Sequence, residues 1–587
     1  MDIGRPSNSV ERDGAVELAH RTGPSSSSSG ITIDEKGPSR TVQYVGDDVD
    51  LEGDSEGARV TKSTHDDIRG MKRMGKDQQL VRTFRQLSIT SFVCLATASW
   101  EIGLFIISPA LVDGGSPGLV WSSLWCWICF GPIYLSMAEM ASMAPIAGAQ
   151  YHWVSEFAPE KYQKFLSYMA GWTSTIAWQA GNAMGIFLAG SIVQTIILVN
   201  NDNYAFPAYQ GSLLAIAMVV IAYIANIYGA KILPYWQNAF FVLHILVYFA
   251  YIVPIWVSAP TATHTQVWST FQNEGGWSSM GLAVMVGQLT GISQQVGIDT
   301  TAHMSEEVKN AAKAIPKTML IVYVLNFVLL FPAILTICYH IPNLDDALAD
   351  TTTYPAIYVM RQSMSNTWIS VILALIALLS CASAINYYAA VTRDLFAFGT
   401  PPLSTNPCMT ETPANEYTRR PPARDNGLPF SSWLSTVHPT KHLPIHASQV
   451  SVVTATALSL IYIGSDVAFY AITSLATVSL LMCYTMSIGS VLWRRIYLPE
   501  TLPPSHFSLG RWGIPCNAAA VMFGVWSFFW SFWPQTTPVT AGGFNWASPI
   551  FVTAVLFALG YYVVKARKVY VGPVVEVEGR RTASRAG

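Results

Sequence analysis

The chain has 587 residues, 51% hydrophobic and 12% aromatic, with only 12% charged; 34 Lys and Arg face 36 Asp and Glu, for a net charge of -2. Soluble domains carry about 25% charged residues, so a series of soluble domains is excluded. Apolar runs long enough to cross a bilayer recur from Leu87 to Val564, and the chain reads as an all-α polytopic membrane protein. The net charge says nothing about partners, since what matters is where the charges lie; a lipid bilayer is expected around the protein and no nucleic acid.

Residues 1–86 form a polar stretch with PSSSSSG at Pro24–Gly30 and an acidic patch, GDDVDLEGDSEG. With so few apolar residues it is expected to be a disordered cytoplasmic tail. Its first twenty residues lack the apolar segment of a cleavable signal. The transporter region follows over 87–566, and 567–587 read as a cytoplasmic C-terminal tail.

Twelve spans are expected, at about 88–111, 117–141, 164–199, 211–229, 234–258, 280–303, 317–340, 367–392, 446–465, 467–492, 514–534 and 545–565. Basic residues set their orientation. With the N-terminus inside, Lys161, Lys164, Lys231, Lys309, Lys313, Lys317, the stretch from Arg393 to Lys441, Arg494, Arg495, Lys565, Arg567 and Lys568 all fall on the cytoplasmic side. Both termini are therefore expected in the cytoplasm, and the plasma membrane is the expected location, with a vacuolar or other internal membrane as the alternative. Of the 8 cysteines, Cys94, Cys126, Cys129, Cys338, Cys381 and Cys483 are among those that lie in or beside these spans. Cys126-x-x-Cys129 sits at lipid depth without a second pair and reads as packing, not as a metal or redox site. No cofactor or metal is expected.

Two spans are irregular. The first carries Ser99-Trp100-Glu101-Ile102-Gly103 at its middle, and a carboxylate there is costly unless it faces water or a cation. The sixth runs through Gly287, Gly291 and Gly297 with Gln288, Ser293, Gln294 and Gln295 between them. Glycine costs about 1 kcal/mol in a helix interior, and helices broken at mid-membrane hold substrate in secondary transporters. Each irregular span opens a run of five, which predicts a 5+5 inverted repeat with broken helices 1 and 6 facing each other.

Unwound helix ends offer N–H groups to a carboxylate and carbonyls to an ammonium, so the pair suits an amino acid, a GABA-like compound or a polar amine. Ala98, Ser99, Gly291 and Gly297 are the candidates for close backbone approach, with Ser293, Gln294 and Gln295 adding neutral hydrogen bonds. For proton coupling two groups compete. His244 is a lone histidine in an apolar span with an ordinary pKa near 6.5; Glu101 is the alternative, or else it neutralises a substrate cation. Asp299 is expected to cap the second half of span six.

At these residues the chain resembles fungal members of the amino acid–polyamine–organocation superfamily, in the amino acid/choline branch that includes GABA and choline permeases. The matching segments are EMASMAPIAGAQYHWV (Glu139–Val154), NIYGAKILPYWQN (Asn226–Asn238), Gly297-Ile298-Asp299 with HMSEEVKNAAKAIP (His303–Pro316), Thr392-Arg393 and ARDNGLPFSSWLSTVHP (Ala423–Pro439). The resemblance implies five plus five helices with two more at the end, and alternating access around a central site. By motif position it implies substrate contact for Ser99, Trp100, Glu101 and Gly103, for Ser293 to Gly297, for Asn182, and for Tyr387 or Tyr388. It places His244 six residues after Asn238, where proton-coupled relatives carry a lysine, and Glu306 and Glu307 at the cytoplasmic gate. The family's first-helix Gly-Ser-Gly is Ser99-Trp100-Glu101 here, which tilts the expected cargo toward a cationic amine.

One segment departs from the pattern. Gly399–Pro422 separates the two halves of a motif that normally runs on from Ala-Phe, as either a retained intron or a cytoplasmic extension; transcripts read across Phe398 and Ala423 separate the two. The chain lacks a G-x-x-x-x-G-K-[ST] loop, which argues against ATP-driven transport. The expected function is secondary active transport, coupled to protons, of an amino acid, GABA, choline or related amine. The alternatives are transport of an alkaloid or its amino-acid precursor in a specialised pathway, a non-transporting sensor, or a membrane enzyme; for the last, Glu101, His244 and Asp299 form no catalytic motif.

Overall fold

The computed structural model describes residues 62–399 and 427–573, apart from 75–77, 79, 202, 230–231, 353, 435, 439–442, 465–467, 542 and 571. The first 61 residues and most of the Gly399–Pro422 insert thus lie outside the described residues. Among those described, regular structure is helical, with a single isolated bridge between Phe84 and Val308.

The principal helices are α1 (Gln86–Val112, interrupted), α2 (Gly115–Met143), α3 (Glu160–Asn200), α4 (Ala208–Tyr228), α5 (Leu233–Ser258) and α6 (Met280–Ser293, continued by Thr300–His303). They are followed by α7 (Ala311–Tyr339), α8 (Asn366–Gly399), α9 (Ile445–Ile461), α10 (Ala468–Tyr497), α11 (Gly513–Trp530) and α12 (Ala547–Tyr561). Each of the twelve apolar stretches contains one of these helices, and ten are long and apolar enough to cross a membrane; α6 and α9 are apolar but shorter. At 41 residues, α3 reaches about 60 Å, twice the hydrocarbon thickness, so it either tilts or projects.

Burial sorts the helices. The apolar window of α1 is 83% buried, whereas that of α12 is 17% buried. α3 packs along α8 and α10 in the interior, and α2 packs along α7. α5, α11 and α12 turn large side chains such as Leu246, Phe249, Met522, Leu556 and Phe557 outward. An outer apolar face of this kind has no water-facing role and is what lipid covers.

Both expected breaks are present. Ser88 holds the start of α1, accepting from Arg85 N and donating back to Arg85 O. Thr97 returns its hydroxyl to Val93 O and Cys94 O at 3.1 and 3.0 Å, and Ala98 then takes a left-handed conformation, φ 39°. A non-glycine residue there is held only by its surroundings. α6 is capped by Ser279, whose hydroxyl accepts from Leu282 N at 3.3 Å; it ends at Ser293, and Gly297 turns the chain at φ +101°. That angle requires glycine.

The described part of the N-terminal segment differs from the free tail expected up to residue 86. His65–Arg73 is a helix, and Asp67 accepts from Asn310 N and Ala311 N at 3.0 and 3.1 Å, capping α7. Arg82, 1% exposed, pairs with Asp67 at 3.4 Å and donates to Ser305 O and Val308 O. Thr83 N and Phe84 N both donate to Glu307 O. The approach to α1 is thereby clamped onto the chain between α6 and α7.

Candidate functional site

A cavity of about 80 Å³ lies where the two breaks meet α3, α8 and α10. Of the residues singled out in the sequence, it brings together Ser99, Gly103, Asn182, Ser293, Gln294, Gly297 and Tyr387. No charged side chain lines it, and Tyr387 is its only aromatic residue. Ser99 Oγ, both polar atoms of the Asn182 amide and Gln294 Oε1 are buried without a hydrogen-bond partner among the described residues. Gln294 Nε2 donates to Gly103 O at 3.2 Å, and the hydroxyls of Ser293 and Thr477 meet at 3.1 Å. Buried polar groups are ordinarily paired, so these orphaned atoms make this cavity the candidate solute site.

Other expected contact residues lie elsewhere. Ala98 forms the hinge itself. Trp100 and Glu101 point behind α1, where Glu101 pairs directly with His244 Nδ1 of α5, and Trp100 Nε1 lies 3.2 Å from the same nitrogen. Trp100 packs edge-on against Tyr248 and also meets Tyr251. Glu101 therefore does not face the solute cavity as a counter-ion. Gln295 contributes its carbonyl, which accepts from Tyr134 at 2.8 Å, and its side chain does not line the cavity. Tyr388 turns away to donate to Ser448 O at 2.5 Å. Gly291 packs against α2 near Ser122 and Cys126. Cys126 itself rests on Gln288 O at 3.8 Å, and both Cys126 and Cys129 are free.

Asp299 occupies the N-cap position of Thr300–His303 but makes no side-chain cap bond, contrary to expectation. Its carboxylate is instead drawn sideways into the core. Gln150 and Trp178 donate to Oδ2 at 2.7 and 3.2 Å, and Tyr484 donates to Oδ1 at 2.5 Å. Three charge-assisted donors offer more than the cap. Glu306 accepts from Ala147 N at 3.3 Å, and Glu307 pairs with Arg393 Nε of α8 at 2.8 Å.

The family model for amino acid permeases matches residues 84–401 and 418–556. The chain belongs to the amino acid permease family. It is similar to a Macrophomina phaseolina protein named provisionally as an amino acid/polyamine transporter, at 27% identity over 77% of this chain and 94% of the relative. It is 25% identical to the choline transporter of Saccharomyces cerevisiae over 86% of this chain and 84% of that one. Amino-acid permease 2 of Neurospora crassa is likewise 25% identical, over 88% of this chain and 90% of its own length. The protein is thus a multi-pass membrane transporter and not an enzyme. The family match breaks between 401 and 418, inside the segment that interrupts the motif.

Sequence reading of this permease missed lining residues on α8 and α10. The missed residues are Ser383, four positions before the expected Tyr387, and Thr473 and Thr477, themselves four apart, all in apolar helices. That spacing puts each pair on one helix face, a signal that was available. Gly181, also in the lining, has a subtler role: a Cβ there would lie 2.1 Å from Tyr387 Oη, so glycine is what lets the tyrosine reach the cavity.

Proposed function

We propose that this permease moves a small zwitterionic amino acid, or a GABA-like relative, across the membrane by proton-coupled alternating access around the cavity between α1 and α6. The observation that carries the reading is the set of buried, unpartnered atoms of Ser99, Asn182 and Gln294 lining that cavity between two interrupted helices. Helix breaks supply backbone N–H groups for a carboxylate and carbonyls for an ammonium, so a neutral lining suits a solute that carries both charges. A quaternary amine is ordinarily held by several aromatic faces or an acidic partner; here the lining has Tyr387 alone, and Glu101 is engaged by His244. The amine-leaning expectation drawn from Glu101 is accordingly set aside, although the yeast relative named as a choline transporter keeps choline in the test panel.

The same reading takes twelve crossings in a 5+5 inverted repeat with two further helices, both termini in the cytoplasm and the plasma membrane as location. Its support is the gathering of basic residues at one end of the bundle. Lys164 donates to Arg567 O, Arg494 to Glu156 O and Phe157 O, and Arg495 pairs with Glu139. The experiment is uptake of labelled amino acids, GABA, choline and polyamines by a permease-deficient host at several pH values. Saturable uptake of a zwitterion that increases at acidic external pH is expected. Uptake of choline alone overturns the substrate assignment, and no uptake of any compound overturns the function.

A further inference from the structure

Proton coupling requires a buried group that gains and loses a proton within reach of the substrate. Two buried acid–base contacts stand near the cavity. Glu101 and His244 are one acid and one base, so they close electrically as an ion pair and need nothing more. Asp299, His303 and Asp394 are two carboxylates around one imidazole. His303 Nε2 lies 3.5 Å from Asp299 Oδ2 and Nδ1 lies 3.8 Å from Asp394 Oδ1, with all three side chains at most 1% exposed. His303 Nδ1–H donates to Ala147 O at 2.7 Å, while Nε2, facing a carboxylate, has no hydrogen-bond partner.

Charge counting decides between the two. Even with a protonated imidazole, the Asp299 cluster carries one negative charge in excess, and an uncompensated charge at this depth is costly. No other cation pairs with either carboxylate among the described residues; Arg393, next in the chain to Asp394, is engaged by Glu307. The remaining titratable groups within electrostatic reach are Tyr134 on α2, Tyr387 on α8, and Cys483 and Tyr484 on α10. None of them supplies positive charge. We propose that Asp299, His303 and Asp394 together are the proton-binding site of this permease, taking up one proton to become neutral and releasing it on the opposite side.

The cluster is wired to both the cavity and the hinge. Tyr387 of the lining packs on Trp178 with ring centroids 4.7 Å apart; Trp178 meets His303 edge-on at 4.9 Å and donates to Asp299. Tyr484 donates to Asp299 Oδ1 and accepts from Gly297 N–H at 3.0 Å, at the turning point of α6. Asp394 is held from α3 by Ser174 at 2.7 Å. While the cluster carries its excess charge, these donors tie the inner part of α6 to α3 and α10. Protonation turns charge-assisted bonds into weaker neutral ones and loosens that tie without any contact between proton and substrate.

The inference rests on the proton-coupled reading above for its role in transport, but the proton site is measurable without substrate. Purified full-length wild type and the variants D299N, D394N, H303Q and E101Q are titrated by infrared spectroscopy in the carbonyl region of protonated carboxyl groups. The expected result is a titrating band that disappears in D299N or D394N and persists in E101Q; an unchanged band in both aspartate variants overturns the proposal. The same proteins in vesicles are given labelled alanine and GABA with an inward proton gradient, where one coupled proton supports about tenfold accumulation per pH unit. Wild type is expected to accumulate and the cluster variants only to equilibrate, while still exchanging label against internal substrate. Loss of exchange in all three cluster variants assigns the residues to packing and overturns the proposal, as does gradient-driven accumulation at the wild-type level. A wild type that accumulates neither compound sinks the transport reading, and the infrared titration still judges the site.

Discussion

Asn182 offers the sharpest separation of stability from function. Its side chain is buried, lines the cavity, and leaves both Nδ2 and Oδ1 without partners. A buried polar group left unpaired costs about 1–3 kcal/mol, which the substrate-free protein bears and the loaded protein recovers. Asn182→Leu removes that cost and keeps most of the volume beside an open cavity. The empty protein in detergent should therefore melt at a higher temperature than wild type. Hydrogen bonds to a charged group contribute about 1.5–3 kcal/mol each, so losing one weakens apparent affinity by about 10- to 150-fold. The two signs are opposite, which is what makes the test selective. The assay pairs a thermal melt, with and without the transported solute, with KM for uptake. A lower melting point for the empty Leu variant together with KM within twofold of wild type refutes the reasoning, because Asn182 would then be a packing residue.

Gly297→Ala should lower uptake while leaving expression intact: a Cβ there meets nothing within 4 Å, yet φ +101° disfavours any side chain by about 1–3 kcal/mol; Gly281→Ala, in open space at an ordinary φ, should be silent in the same uptake assay. Arg82→Ala strips Asp67 of its partner and Ser305 O and Val308 O of their donor, and breaking a buried pair costs about 3–5 kcal/mol; protease cleavage between residues 62 and 85 should accelerate, with Arg82→Lys only partly protective. Asp113, between α1 and α2, has its carboxyl raised to about 7 by burial, and neither oxygen finds a hydrogen-bond partner. Because the folded pKa lies above the ordinary value near 3.9, this stabilisation is full below about pH 4 and is lost as the pH rises through 7. Asp113→Asn should flatten that portion of a melting-point-against-pH curve and raise the melting point at pH 8; an unchanged curve refutes the assignment.

Hydrophobic runs of spanning length made the helices readable, since burying or lipid-covering such runs has few helical solutions. The two interruptions were readable for a related reason. Gly297 with Ser293, Gln294 and Gln295, and Ser99 beside Glu101, place glycine and polar side chains where an unbroken lipid-facing helix tolerates neither. The docked segment from His65 to Arg85 was not readable, because its anchors are single residues (Asp67, Arg82 and Phe84) whose partners lie over 200 positions away at Ser305 to Ala311.

Side-chain direction was decided only by the tertiary structure. Ser99, Trp100 and Glu101 are consecutive, and successive positions on a helix are turned by about 100°. They cannot all face one cavity: Ser99 enters it, while Trp100 and Glu101 turn to His244 and Tyr248. The partners of Asp299, at sequence separations of 149, 121 and 185, were equally hidden, since a cap depends on neighbours in the chain and this carboxylate is claimed by distant ones. The sequence by itself determined that the chain is a bundle of apolar helices with two interruptions. Only the packed structure decided which residues at those interruptions line the cavity and which carboxylates share one buried imidazole, because both depend on which faces of α3, α8 and α10 close around the gap.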